Sequence, residues 1–419
     1  MIIKNGRVIN PSTNQDELVD ILIEDGKIKA LGDFSHMEDN QTIDAKGCIV
    51  APGLVDIHVH FREPGFTHKE DILTGSESAA AGGFTTVVAM ANTNPIIDNE
   101  ETLKLVLDKM KESKINVHTV AALTKGFKGQ ELVDMESLHK LGAIGFTDDG
   151  IPINNGKLIL EAMLKAKELN VPLSFHEEDP SFIGIAGINE GKVSKKLGIK
   201  GATSVSEDVM VARDSMLALS TGATIDIQHI SSGNAVDMVR FIKGLGANVF
   251  AEVTPHHFSI TEEAVLEHGA LAKMNPPLRT EKDRARIIQG LKDNTIEIIA
   301  TDHAPHSAEE KTGELAKTPS GIIGLETALS LGITNQVKVG HLSLMELLRK
   351  MTINPAKLYN LDCGTLNVGS NADIVIFNED ESYLVEEFKS KSSNSPFIGQ
   401  TLYGKIKYTI CKGKIVYKN

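Results

Sequence analysis

The run Leu54-Val55-Asp56-Ile57-His58-Val59-His60-Phe61-Arg62 decides how the rest of the chain is read. Apolar and polar residues alternate in it with the period of a strand, in which side chains two apart face the same way. That parity predicts Asp56, His58 and His60 on one face and Val55, Ile57 and Val59 on the other. In a barrel the apolar face meets helices and the histidines point inward. Two imidazoles on one face, at the C-terminal end of a strand, can grip one metal ion. A lone His-x-His is also ordinary strand filler, so its meaning depends on what accompanies it.

What accompanies it is an alternation of strands and helices. Strand candidates fall at 54–61, 85–91, 116–122, 143–147, 172–176, 224–230, 248–253 and 297–301. Helical patterns lie between them. Residues 101–113 repeat apolar side chains at Leu103, Val106, Leu107 and Met110, and residues 157–169 at Ile159, Leu160, Met163 and Leu164; 208–219 and 235–245 behave alike. Gly82-Gly83, Gly142, Gly222 and Gly246 mark helix ends. Strand–helix alternation implies a parallel sheet with helical crossovers. Eight such units in roughly 300 residues predict an α/β fold, a (β/α)8 TIM barrel. An open dinucleotide-binding sheet is disfavoured, because no Gly-x-Gly-x-x-Gly follows the first strand.

Both ends of the chain read differently. Asn5-Gly6 and Asp25-Gly26 each predict a hairpin, and 42–50 a further short strand. At the other end 373–377, 401–407 and 410–417 carry β-branched or alternating residues, with Gly404 and Lys412-Gly413 as turns. These ends predict one small β-sandwich domain, formed by 1–51 and 363–419, around a catalytic barrel at 52–362. Ala51-Pro52-Gly53 and Cys363-Gly364 are the boundaries.

Composition narrows the function. The 419 residues carry 43 basic and 56 acidic side chains, a net charge of −13. That removes the basic footprint of a nucleic-acid binder, but not a locally basic pocket for an anionic small molecule. Three cysteines, Cys48, Cys363 and Cys411, are too few and scattered for a disulfide framework or a thiolate zinc site. No apolar run has the length of a membrane span. The start, Met-Ile-Ile-Lys-Asn-Gly, lacks a signal-peptide pattern, so a cytoplasmic location is expected.

The other strand ends repeat the chemistry of the first. Strand four ends in Thr147-Asp148-Asp149-Gly150, strand five in His176, strand six in His229, and strand eight in Asp302-His303-Ala304-Pro305-His306. A (β/α)8 barrel gathers these ends on one rim, where its active sites lie. Four histidines and two carboxylates there could hold two metals with a shared bridging ligand. Imidazole with carboxylate suits zinc first, then manganese, cobalt, nickel or iron. Strand parity leaves Asp148 and Asp149 both open as the bridge. Arg62, two residues beyond His60, offers a guanidinium suited to a carboxylate.

The run His58-Val59-His60-Phe61-Arg62-Glu63-Pro64-Gly65, Asn92 after strand two, the Thr-Asp-Asp-Gly turn and Asp302-His303-Ala304-Pro305-His306 resemble dihydroorotases of the bacterial, longer-chain type, within the amidohydrolase superfamily. The resemblance spans essentially the whole chain. It implies that His58, His60 and Asp302 hold the more buried metal, that His176 and His229 hold the second, and that Asp149 bridges them. Many relatives use a carboxylated lysine at the end of strand four, where this chain has none. It further implies one or two zinc ions, a substrate pocket of His60, Arg62, Asn92, Asn275, His306, Ser320 and Gly321, and Asp302 as the proton carrier. Ser320 and Gly321 would offer backbone groups to the ring.

The implied reaction is reversible closure of N-carbamoyl-L-aspartate to (S)-dihydroorotate and water, in pyrimidine synthesis. Relatives are often homodimers, and some associate with aspartate transcarbamoylase. The competing readings are an allantoinase or a dihydropyrimidinase/hydantoinase-type cyclic amidase, and a catalytically silent assembly partner. Asp56 is expected to orient a ligand imidazole, His256-His257 to support the ligands from behind or pack the loop, His303 to serve packing, and the polar stretch 306–317 to form a mobile edge of the site.

Overall fold

The computed structural model describes residues 1–37 and 41–419. Its centre is a closed parallel barrel of the TIM type. Leu54–Val59 pairs with Phe84–Ala89, which pairs with Asn116–Thr119. The fourth position has shrunk to Phe146, bridging Ala121 on one side and Leu173 on the other. Leu173–Phe175, Ile225–Ile227, Val249–Val253 and Ile298–Ile299 follow in order. A bridge from Val59 to His303 closes the ring.

The crossover helices follow their local signals. Gly156–Leu169 starts where the Asn155 side chain accepts the amides of Lys157 and Leu158, and ends on left-handed Asn170. Its buried stripe is Leu158, Ile159, Ala162, Met163 and Ala166. The expected Leu164 is instead 48% exposed. The helix is rotated so that small alanines meet the sheet. Truncating buried Met163 to Ala would cost about 2–5 kcal/mol.

The barrel has two apolar layers. Outward residues such as Val87, Ala89, Leu173 and Ile227 join the helices in the main core. Inside, Val55, Ile57, Val88, Met90, Val120, Ile298 and Ala300 form a separate plug with Leu358 and Tyr359. This corrects the expected facing of strand one. Its register runs Asp56 to Val87 and then Val59 to Ala89, three steps against two. That extra residue is a bulge, which flips the alternation partway along the strand. Val55 and Ile57 therefore point inward below the bulge, and His58 and His60 point inward above it. Asp56 does not share their face. Its carboxylate accepts the amides of His58 at 3.1 Å and Thr301 at 3.2 Å, tying strand one to strand eight.

The terminal strands build two further sheets. One has the order Lys27–Gly32, Asp20–Glu24, Ile2–Lys4, Thr42–Asp44; the other runs Lys414–Lys418, Thr401–Cys411, Ile374–Leu384, Ile49–Pro52, Arg7–Asn10, Gln15–Leu18. The second sheet mixes both ends of the chain. Between the sheets lies a core of Ile3, Val8, Ile21, Val50, Ile374 and Ile410 among others. Asp25-Gly26 makes the expected tight hairpin, with φ of 50° and 75°. Asn5-Gly6 does not: Ile2–Lys4 and Arg7–Asn10 belong to different sheets. A Cβ on Gly6 would lie 2.4 Å from Val50 Cγ2, so glycine lets the chain cross the narrow gap. The expected strand 42–50 is likewise two strands in two sheets, and Gly404 lies within a strand rather than in a turn. Residues 385–400 leave the sheet and reach the barrel mouth. Among the described residues no helix is long and apolar enough to cross a membrane.

Candidate active site and metal centre

Two groups of metal-type donors converge at the C-terminal end of the barrel: His58, His60 and Asp302, and His58, Asp149 and His229. His60 Nε2 lies 2.8 Å from Asp302 Oδ1. His58 Nε2 lies 3.5 Å from Asp149 Oδ1 and 3.6 Å from Asp302 Oδ1. His176 Nδ1 is 3.0 Å from His229 Nε2, and these nitrogens stand 3.9 and 3.7 Å from Asp149 Oδ1. Asp149 therefore faces all four histidines. Asp148, next to it, turns away and accepts the amides of Leu123 and Thr124 at 2.8 and 2.9 Å. Tertiary contacts thus decide what strand parity left open.

The donor set fits a cation. His58 Nε2 is buried without a hydrogen-bond partner although two carboxylates lie just beyond bonding distance. Among the described residues, no Lys or Arg ion-pairs with Asp149, Asp302 or Glu252. Buried carboxylates without a counter-charge are costly. Burial would lower the His58 pKa, yet Glu252 and Asp149 hold it well above the ordinary value. Burial would raise Asp302, but the His60 hydrogen bond and the charge of His58 keep it below the usual carboxylate range. The same imidazoles hold Asp149 low against its burial. Imidazoles and carboxylates here share protons that a divalent ion would replace.

Backbone strain accompanies the site. His229, Asp302 and Arg62 have positive φ of 37°, 49° and 58°. A non-glycine residue held this way costs on the order of 1–3 kcal/mol, and such residues cluster at functional sites.

Above the donors opens a cavity of about 230 Å³, lined by His60, Arg62, Asn92, Asp149, His176, His229, Asn275, Asp302, His306, Ser320 and Gly321, with Gly150 and Ala304. Every expected pocket residue reaches it, and His58 lies beneath. Arg62 Nε donates to the Pro305 carbonyl at 3.3 Å. Among the described residues it forms no ion pair: Glu63 accepts the Ile72 amide, and Glu70 lies against His303. Its cation is left for an outside partner. His306 Nε2 donates to the Ser320 carbonyl at 2.9 Å. Burial and then the Arg62 charge push His306 down to about 3, so it is neutral at pH 7.

The comparisons with known proteins agree with this geometry. A dihydro-orotase-like family model matches residues 47–235, and an amidohydrolase family model matches 339–417. The chain is 64% identical to the dihydroorotase of Clostridioides difficile (strain 630), covering 100% of this chain and 99% of that one. It is 56% identical to the dihydroorotase of Clostridium acetobutylicum over the whole of both. Among solved structures it is similar to the L-hydantoinase (dihydropyrimidinase) from Arthrobacter aurescens, with TM-score 0.87 and 27% identity, covering 100% of this chain and 96% of the other. The chain belongs to the dihydroorotase family. The hydantoinase likeness is one of architecture at far lower identity.

Within this dihydroorotase-family site, some residues do other than expected. The Asn92 amide is largely spent inside the protein: Oδ1 faces His60 Nδ1 at 2.9 Å and Nδ2 donates to Asp149 at 3.2 Å. One N–H remains for a ligand. The Asn275 amide nitrogen lies 3.3 Å from His176 Nε2, and its oxygen is buried without a partner. Gly321 does not offer backbone groups to a ring. Its N–H donates to the Lys273 carbonyl at 2.8 Å, and its own carbonyl accepts Lys311 Nζ at 3.0 Å. It contributes shape instead, since a Cβ there would lie 2.6 Å from the Ala304 Cβ.

His256 and His257 are buried beside the site. His257 is tied to Thr254 Oγ1 and the Pro276 carbonyl at 2.8 and 3.1 Å, and burial pushes His256 down to about 4. His303 Nδ1 accepts the Gly324 amide at 3.1 Å, away from the donors. In and beside the stretch expected to be mobile, Lys311 Nζ donates to the Pro319 and Gly321 carbonyls, and Lys273 Nζ to those of Leu315, Ala316 and Thr318.

Sequence reasoning missed three residues. Glu252 lies 2.5 Å from His58 Nδ1, and Glu178 lies 3.1 Å from His176 Nε2. Asn394 accepts the His306 amide at 3.1 Å and donates to the Ala304 and Gly321 carbonyls at 3.0 and 3.1 Å. Glu178, two residues after His176, was findable as a polar group beside a ligand. Nothing local to Glu252 or Asn394 marks them.

Proposed function

We propose that this chain is a zinc-dependent cyclic amide hydrolase, a dihydroorotase that interconverts N-carbamoyl-L-aspartate and (S)-dihydroorotate in de novo pyrimidine (UMP) biosynthesis. One observation carries the reading: an unpartnered buried imidazole nitrogen between two carboxylates lies beneath a small cavity lined by Arg62, which forms no ion pair among the described residues. The first asks for a cation and the second for a carboxylate.

His58, His60 and Asp302 would hold one ion, and His176 and His229 a second, with Asp149 between them. Such ions supply a Lewis acid for the amide carbonyl and lower the pKa of water. The chain's residues do the rest. Arg62 grips the substrate carboxylate bidentately. The free Asn92 N–H and the Asn275 amide orient the ring, and neutral His306, held on Ser320, sits beside Arg62. In the hydrolytic direction Asp302 takes the proton of the attacking water at its carboxylate and passes it to the ring nitrogen as the C–N bond breaks. Cyclisation runs the same transfers backwards. A positioned acid–base group of this kind contributes about 10²–10⁴ in rate.

The reading includes a cytoplasmic enzyme, a sandwich domain of 1–51 and 363–419 around a barrel at 52–362, a homodimer and association with aspartate transcarbamoylase. Light scattering, alone and with that partner, tests the assembly part. Dihydroorotate hydrolysis by purified protein, before and after chelation and zinc add-back, tests the chemistry. Loss with the chelator and return with zinc is expected. Turnover of hydantoin or dihydrouracil without dihydroorotate would transfer the chain to the cyclic-amidase alternative. Protein that stays metal-free and inert would make it a silent partner.

A further inference from the structure

Glu252 reaches two of the histidines of the donor set, the side chain of His58 and the backbone of His229. It lies on the seventh barrel strand, Val249–Val253, and is 1% exposed. Its Oε1 is 2.5 Å from His58 Nδ1 and also accepts the backbone N–H of His229 at 3.2 Å. A carboxylate can only accept from His58, so the Nδ1 proton is held on the Glu252 side. Nε2 is then the nitrogen turned toward Asp149 and Asp302. His229 carries its imidazole on a strained backbone with φ of 37°, and the same oxygen anchors its amide. Glu252 Oε2 has no hydrogen-bond partner. The charge of this buried carboxylate is met by His58 and by whatever lies beyond it.

We propose that Glu252 is a positioning residue of the metal centre, fixing the His58 tautomer and the His229 backbone with one oxygen. Outer carboxylates of this type orient a ligand imidazole and raise its basicity, and their loss typically weakens metal binding about 10–100-fold. The inference rests on the metal part of the proposed function, not on its substrate.

The test is zinc affinity, by competition with a chromogenic chelator, for wild type, Glu252→Gln and Glu252→Asp. About 10–100-fold weaker binding is expected for Gln, with partial recovery for Asp. The cobalt-substituted Gln variant should also show shifted visible bands. A merely structural Glu252 would lower the melting temperature and leave affinity and cobalt spectrum unchanged, which would overturn the proposal. If neither variant folds, the wild type decides. In zinc-loaded, 15N-histidine-labelled protein, His58 should be protonated at Nδ1 with a far-downfield proton, and protonation at Nε2 instead would overturn it. A wild type that binds zinc with Glu252 positioning His58 as described but leaves dihydroorotate intact would sink the substrate assignment alone.

Discussion

The floor and the rim of the cavity are built on opposite principles. On the floor, His58 and His176 each lean on a buried carboxylate, Glu252 or Glu178, and the donors hold one another. Strand ends carry them, and they are buried. On the rim, Arg62, His306, Ser320 and Gly321 sit on loops and are held by main-chain groups and by side chains distant in sequence. The floor gathers the carboxylates Asp149, Asp302, Glu252 and Glu178, and the rim carries Arg62, which forms no ion pair among the described residues. In the proposed function the labour divides along the same line, with reaction chemistry at the strand ends and substrate choice on the loops.

The largest effect should come from the floor. Asp302→Asn is expected to lower kcat by about 10²–10⁴ while zinc content, measured alongside, tells proton transfer from metal loss. Arg62→Ala comes next, with kcat/KM for dihydroorotate down about 10–100-fold, the worth of a charged hydrogen-bond pair. A larger loss for Arg62→Ala than for Asp302→Asn would break the division. Asn394→Ala sharpens it: KM should rise and stability fall by about 1–3 kcal/mol as three hydrogen bonds vanish, with zinc affinity unchanged. Weakened zinc binding in that variant would show that rim and floor are one unit.

The smallest effect concerns Lys311. Burial, with the Lys273 charge, pushes Lys311 down from an ordinary 10.5 to about 7. Between those values the unfolded chain holds a proton that the folded chain has released. Stability from this group therefore rises with pH across that window and is flat below it. Melting temperatures of wild type and Lys311→Met, compared from pH 7 to 10, should differ in slope in that direction. Parallel curves would remove the lysine from the account.

Much of this was legible locally. Strand–helix alternation and the polar strand ends identify the barrel and its rim, because period and side-chain parity are properties of short segments. The same locality failed at strand one. A single extra residue between Asp56 and Val59 reversed the facing, and nothing in the run Asp56-Ile57-His58-Val59 announces a bulge. It failed also at Asn5-Gly6, where a turn sequence joins two sheets instead of two partners.

Residue type and spacing are enough for the fold class, for a barrel rim that carries His58, His60, His176, His229 and Asp302, and for an arginine beside them. Where strand parity left Asp148 and Asp149 open, the tertiary structure turns Asp149 to the histidines, because the Leu123 and Thr124 amides claim its neighbour. It alone brought Glu252 to His58 across 194 residues of chain and Asn394 to His306 across 88. Contacts of that separation are chosen by packing of whole elements, and no local pattern encodes them.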